Sequence, residues 1–287
     1  MAIEGAPQGW LSDYRAKGSG SNADIGVLLV HGFTGSPASM RPFAHFLNEK
    51  GYQVSVPVIP GHASRWQDLN KVHWSSWAQK VEQELVELKK TCRKAFIVGL
   101  SMGGAISQII ALKHPNRVRS LTLVATACRN HQWRVDLLQS WADMAETDGM
   151  GSVGKEAARW MIGPRSFRRL LPALGSIGPL QLFNPANAFV SQVQAILTTD
   201  DRSLNAELSN IECPTMVVVG NQDILTPRGD AEEIASLIPT AELVIVSGGA
   251  HGLHIEHATT FNRILLEFLG RAEKVFVPHG HAAAIAV

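Results

Sequence analysis

Apolar positions follow two rhythms along this chain. Short runs with the length and β-branched content of buried strands occur at Ile25 to Val30, Gln53 to Val58, Ala95 to Val98, Val118 to Val124, Thr215 to Val219 and Leu243 to Val246. Between them, apolar residues recur every three or four positions. Met40, Phe43, Ala44 and Leu47 make one such face, closed by Gly51. Trp77, Val81, Leu85 and Leu88 predict a helix over 75–90, and Ile106, Ile109 and Ile110 another that stops at His114-Pro115. Two more follow, from about Gly229 to Leu237 and from Phe261 to Leu269. Strand alternating with helix predicts an α/β fold, a mostly parallel sheet with helices on both faces. Leu11 to Ala16 has the character of a short edge strand, and Gly18 to Asn22 that of a loop or hairpin turn.

The alternation fails once. From about Cys128 to Ile211 there is no strand-like run, only segments carrying Trp133, Trp141, Trp160, Phe167, Leu170, Leu182, Phe189 and Val193, punctuated by Gly and Pro. We read residues 1–127 and 212–287 as an α/β core and 128–211 as a helical insertion, a cap or lid over the site. Basic and acidic residues balance within it, so it is not built for a polyanion. Its large apolar side chains either line a pocket or form the cap's own core. Val275 to Val287, rich in Ala and His, reads as a frayed tail.

Composition narrows the function classes. The chain of 287 residues is 45% hydrophobic, ample for a large core, and 26 basic residues against 25 acidic ones leave a net charge of +1. That balance points away from nucleic acid and anionic membranes. No apolar run reaches the length of a membrane span, and Met1 to Gly5 has neither a basic leader nor an apolar signal core. Cys92, Cys128 and Cys213 are scattered, with no metal or redox spacing, and read as free thiols of a reducing compartment. The expectation is a soluble cytoplasmic protein needing no cofactor and no metal; oligomeric state leaves no signal.

The chemistry centres on Gly99-Leu100-Ser101-Met102-Gly103, placed between a strand pattern and a helix pattern. A tight strand-to-helix turn holds a serine hydroxyl clear of its neighbours, and the glycines admit the close backbone approach it needs. It also aims the N–H of Met102 toward any oxyanion formed at Ser101. Functional groups in open parallel sheets collect at the carboxyl ends of strands, where Asp223 and His251 also lie. Ser101 would attack a carbonyl, His251 would carry its proton, and Asp223 would hold the imidazole's tautomer. The order Ser, Asp, His is that of the α/β-hydrolase fold. His31-Gly32-Phe33 follows the first clear strand, where this fold sets its other oxyanion donor, the backbone N–H of Phe33.

Several bland alternatives stand beside this reading. Asp223 also suits the cap of a turn, and His254 competes with His251 as base. His251, His254 and His257 have a spacing that imitates metal ligands, but no Cys or carboxylate completes a set. His31, His62 and His114 read as structural, and His279 and His281 belong to the tail.

His31-Gly32-Phe33-Thr34-Gly35-Ser36-Pro37, Ser39-Met40-Arg41-Pro42, Pro60-Gly61-His62 and Gly99 to Gly104 resemble the bacterial monoacylglycerol lipases and their carboxylesterase relatives. Asn221-Gln222-Asp223 with Thr226-Pro227, and His251 ahead of Glu256, are similar to that group's acid and base segments. Ala63 departs from the group, which usually has glycine there. The likeness covers roughly 25–127 and 212–270, and not the insertion. It implies hydrolysis of carboxylic esters, acyl esters such as monoacylglycerols, through an acyl-enzyme on Ser101. The same triad also suits a thioester, or a C–C bond in a ring-fission product. Epoxide and haloalkane hydrolysis need an Asp where Ser101 stands. A non-catalytic ligand-binding protein on this scaffold is the reading from another class, and such proteins usually lack a triad member.

Overall fold

Two strands, β2 (Ile25–Val30) and β4 (Lys94–Leu100), run side by side with Val27 opposite Phe96 and Val30 opposite Gly99. Pleating sends alternate side chains to opposite faces. Leu28, Val30, Ala95 and Ile97 enter one apolar layer, and Val27, Leu29, Phe96 and Val98 the other. The computed structural model describes residues 12–62, 73–168, 185–198 and 205–275. Leu11, Ala63, the predicted cap's Leu170 and Leu182, and the predicted tail after Val275 lie outside these residues.

With β1 (Tyr14–Ala16), β3 (Gln53–Val56), β5 (Ser120–Val124), β6 (Thr215–Gly220) and β7 (Ala241–Val246), the sheet has seven strands in the order β1-β3-β2-β4-β5-β6-β7. All neighbours are parallel except the β1–β3 pair. β3 ends before the predicted Val58 because Pro57 has no N–H for the ladder. β1 is fastened by Arg15, which bonds the buried Glu84 carboxylate.

The helices cover both faces, as the alternation predicted. α1 (Pro37–Glu49) starts where its sequence says it should: Ser36 Oγ accepts from Ala38 N at 3.2 Å, and Pro37 takes the first position. Its Met40, Phe43 and Leu47 pack in one layer with Phe261, Leu265 and Phe268 of α9 (Ala258–Val275), which follows the short α8 (Leu253–Glu256). α2 (Trp74–Thr91), α3 (Met102–Lys113) and α7 (Arg228–Leu237) fill the other, through Trp77, Val81, Ile106, Ile110 and Ile234. α9 outruns its predicted ends because Thr259, Thr260, Arg271 and Lys274 leave no apolar stripe there.

β2 is followed in the sheet's order by β3 on one side, and β4 by β5 on the other. The loops after β2 and β4 therefore part from each other at the carboxyl end of the sheet and open a crevice. Between β5 and β6 lie α4 (Gln132–Thr147), α5 (Met150–Met161) and α6 (Ala186–Leu197), with no strand among the described residues of this segment. They share an apolar cluster of their own, including Leu138, Trp141, Val153, Phe189 and Val193. Polar seams tie the segment to the sheet's loops. Gln192 Nε2 donates to Gly61 O at 3.1 Å, Gly252 N to Met161 O at 2.8 Å, and Gly163 N to Glu256 Oε2 at 3.1 Å.

Candidate active site

Ser101 takes φ 54° and ψ −125°, a left-handed conformation that costs a non-glycine residue of order 1–3 kcal/mol. Four bonds hold it there: Ser101 N to Val124 O at 2.9 Å, Gly104 N and Ala105 N to Ser101 O at 2.8 and 3.4 Å, and Thr126 Oγ1 to Ser101 O at 2.6 Å. The turn is possible because two of its residues lack side chains. A Cβ on Gly99 would sit 2.4 Å from Gly103 O, and one on Gly103 would sit 2.2 Å from Val30 O. The serine is half-buried at the head of α3. Met102, the first residue of that helix, has no carbonyl one turn back to receive its N–H.

Across the crevice, the loop after β2 is built on a buried histidine. His31 Nδ1 donates to Gly32 O at 3.0 Å, and its Nε2 accepts from Ile59 N at 3.2 Å. A carbonyl can only accept and an N–H only donate, so these partners place the proton on Nδ1. His31 is thus a structural hydrogen-bonder beneath the turn that carries Phe33.

Asp223 and His251 are brought together from the ends of β6 and β7, both buried, with Oδ2 and Nδ1 3.0 Å apart. Asp223 Oδ1 accepts from Leu225 N and Thr226 N, each at 2.9 Å, and Oδ2 from Thr226 Oγ1 at 2.8 Å. Thr226 Oγ1 also lies 3.1 Å from His251 Nδ1. Counting protons settles the tautomer. The threonine has one proton and gives it to the carboxylate, so Nδ1 must carry its own to face Asp223 Oδ2, leaving Nε2 unprotonated in the neutral ring. The turn-capping alternative for Asp223 is part of the same picture: one oxygen caps the turn, and the other faces the imidazole.

His254, the competing base, is half-buried with neither ring nitrogen hydrogen-bonded among the described residues, and is held down to about 4, first by desolvation and then by His251. It makes no bond to Asp223 among the described residues. His131, Asp230 and Glu233, not the three histidines 251, 254 and 257, come within ligand distance of one another, and their carboxylates are met by Arg129 and Arg134.

Ser101, Phe33, Met102 and Thr226 line one cavity of about 130 Å³. Ser101 Oγ makes no hydrogen bond to His251 among the described residues; Thr226, which lines the cavity with Ser101, has its Oγ1 3.1 Å from His251 Nδ1. The remaining wall is mostly apolar: Trp74, Trp77, Ile106 and Ile109 from the core, and Leu138, Trp141 and Ile196 from the segment between β5 and β6. Those last side chains serve both roles open in the sequence, since Leu138 and Trp141 also belong to the segment's own cluster. The sequence marked Thr226 only as part of the segment around Asp223 and gave its hydroxyl no role, although Asp-x-x-Thr-Pro is a turn signature that sets a hydroxyl near the carboxylate. Arg134, which also lines the cavity, carried no local signal at all.

His31 and His62 are wholly buried, their rings 5.2 Å apart. Burial lowers His31 to about 4, and burial together with its neighbour lowers His62 to about 3, from an ordinary 6.5. Both fold as neutral rings, so the unfolded chain binds more protons below pH 6.5. Stability is therefore expected to be full above about 6.5 and to drain as pH falls toward 4. His31 alone contributes on the order of 3 kcal/mol to that loss. Thermal melts across this window check it: Tm should fall on acidification, and less so in His62→Phe. A Tm flat from pH 7 to 4.5 would contradict this account.

The sequence pattern of the alpha/beta hydrolase family matches residues 27–264. A thermostable monoacylglycerol lipase from a Bacillus species is 29% identical over 231 residues, covering 78% of this chain and 81% of that protein. A pimeloyl-[acyl-carrier protein] methyl ester esterase from Yersinia enterocolitica is 30% identical over 196 residues, 65% of this chain and 74% of its own. Among solved structures, an enol-lactonase from Burkholderia xenovorans superimposes with a TM-score of 0.74 at 21% identity, covering 90% of this chain and 96% of that one. With a seven-stranded, mostly parallel sheet, helices on both faces and a strained serine at a strand-to-helix turn, this chain belongs to the alpha/beta hydrolase family.

Proposed function

We propose that the protein is a serine hydrolase of carboxylic esters, with Ser101 as nucleophile, His251 as general base and Asp223 orienting it. The observation that carries this is the buried Asp223–His251 pair, whose proton count leaves Nε2 free to accept, joined through Thr226 to the cavity that Ser101 lines. Relatives that act on monoacylglycerols and on a methyl ester support an ester as the bond cleaved.

The steps follow from the groups present. Ser101 Oγ attacks the ester carbonyl carbon as its proton passes to His251 Nε2. The carbonyl oxygen becomes an oxyanion, met by the backbone N–H groups of Phe33 and Met102; one such donor is typically worth about 10²- to 10³-fold in rate. The C–O bond to the alcohol breaks, and His251 returns the proton to the departing oxygen. A water molecule then repeats the sequence on the acyl-enzyme and releases the acid. Asp223 stays ionised and stabilises the imidazolium in both halves. The helices between β5 and β6 act as a cap whose Leu138, Trp141 and Ile196 hold the acyl chain against the core wall, in keeping with the apolar character of most sites for such groups.

The test is direct. A fluorophosphonate should label the protein once, at Ser101, and a panel of p-nitrophenyl esters assayed beside monoacylglycerols should show turnover and rank acyl length. Folded protein that neither labels nor hydrolyses any member would reject the reading.

A further inference from the structure

The helix that forms part of the cavity wall also reaches the acid. Arg134, on α4, is almost wholly buried, and each guanidinium nitrogen has a partner. Nε donates to Leu225 O at 3.0 Å, Nη1 to Arg129 O at 2.9 Å, and Nη2 to the Asp230 carboxylate near the start of α7. Leu225 C=O and Thr226 N–H are the two ends of a single planar peptide unit. At its other end, that unit's N–H donates to Asp223 Oδ1 at 2.9 Å. A cation on the carbonyl oxygen polarises the amide, so its N–H becomes a stronger donor to the carboxylate. It also stops the unit from turning away. Arg129 reinforces the junction by pairing with Glu233 at 2.9 Å.

We propose that Arg134 is a positioning residue for the acid. Acting through the Leu225–Thr226 peptide, it holds Asp223 against His251 and couples the seating of α4 to the state of the base. The inference rests on the triad reading above. It assigns to the segment between β5 and β6 a part in the chemistry besides walling the cavity.

The test compares p-nitrophenyl butyrate hydrolysis across pH in Arg134→Lys and in the double variant Arg134→Met with Asp230→Leu. Asp223→Asn serves as reference, and folding is checked by Tm. The double variant removes both charges of a buried pair, so no uncompensated carboxylate is left behind and any pH shift reports geometry. Its kcat is expected to fall about 10- to 100-fold, the scale of a misplaced reacting group. KM should change by less than about threefold, because the lost contact is not one to substrate. The acid limb of kcat should move to lower pH, since an imidazolium with a loosened carboxylate gives up its proton more readily. Arg134→Lys, which keeps the charge but not the fork, should fall between. Unchanged kcat and an unmoved acid limb in the folded double variant, with Asp223→Asn inactive, would overturn the inference and leave the triad standing. A rise in KM alone would overturn it too, reducing Arg134 to a wall of the cavity. Full activity in Asp223→Asn would instead remove the triad reading.

Discussion

In Ser101→Ala, kcat for p-nitrophenyl butyrate is expected to fall by about 10⁴- to 10⁶-fold, the scale on which serine hydrolases lose their nucleophile. The residual rate would come from the backbone donors and the cavity, which the substitution leaves in place. Little else should change. The bonds that hold the turn are made by the backbone of residue 101, to Val124, Gly104, Ala105 and Thr126, and alanine keeps all four. The strained φ of 54° is borne by either residue, because both carry a Cβ. Tm should therefore stay close to that of the parent, which separates loss of the hydroxyl from loss of the fold. A variant with unaltered Tm and undiminished kcat would show that the ester is cleaved without Ser101.

Asp223→Asn is expected to cost about 10⁴-fold in kcat, although it deletes no atom. Oδ1 accepts two backbone N–H groups, so the carbonyl of the new amide is drawn to that side. The amide NH₂ must then take the place of Oδ2, facing His251 Nδ1 and Thr226 Oγ1. A donor there obliges Nδ1 to accept, which moves the imidazole's proton to Nε2 and leaves no lone pair for the serine's proton. The imidazolium also loses its counter-charge. Measuring kcat at a pH where His251 is neutral in both proteins isolates the tautomer from the titration. A loss of less than about tenfold there would place the orienting group elsewhere.

The parallel sheet and its helices were legible because one physical rule writes them in the chain. A strand covered on both faces must be apolar throughout, as Ile25–Val30 and Lys94–Leu100 nearly are, and an amphipathic helix must repeat every three or four residues, as Trp77, Val81, Leu85 and Leu88 do. The serine turn was legible for a related reason: Gly99 and Gly103 mark a backbone approach that no side chain permits. Ends of elements were less so. β3 stops at a proline within the predicted run, and α9 continues through polar residues that carry no period. The 128–211 segment announced helices without placing them, since packing against a foreign surface leaves no signature in spacing.

The chain by itself marked Ser101, Asp223 and His251 as candidates and set the strands and helices around them, because local sterics and burial act over a few neighbours. Only the tertiary structure decided that His251 rather than His254 faces Asp223, that the Thr226 hydroxyl touches both, and that Arg134 grips the peptide behind them. The contacts of His251 and Arg134 join groups 25 to 91 positions apart. Their geometry is set by how two loops and a helix end at one rim of the sheet, and no local pattern encodes that meeting.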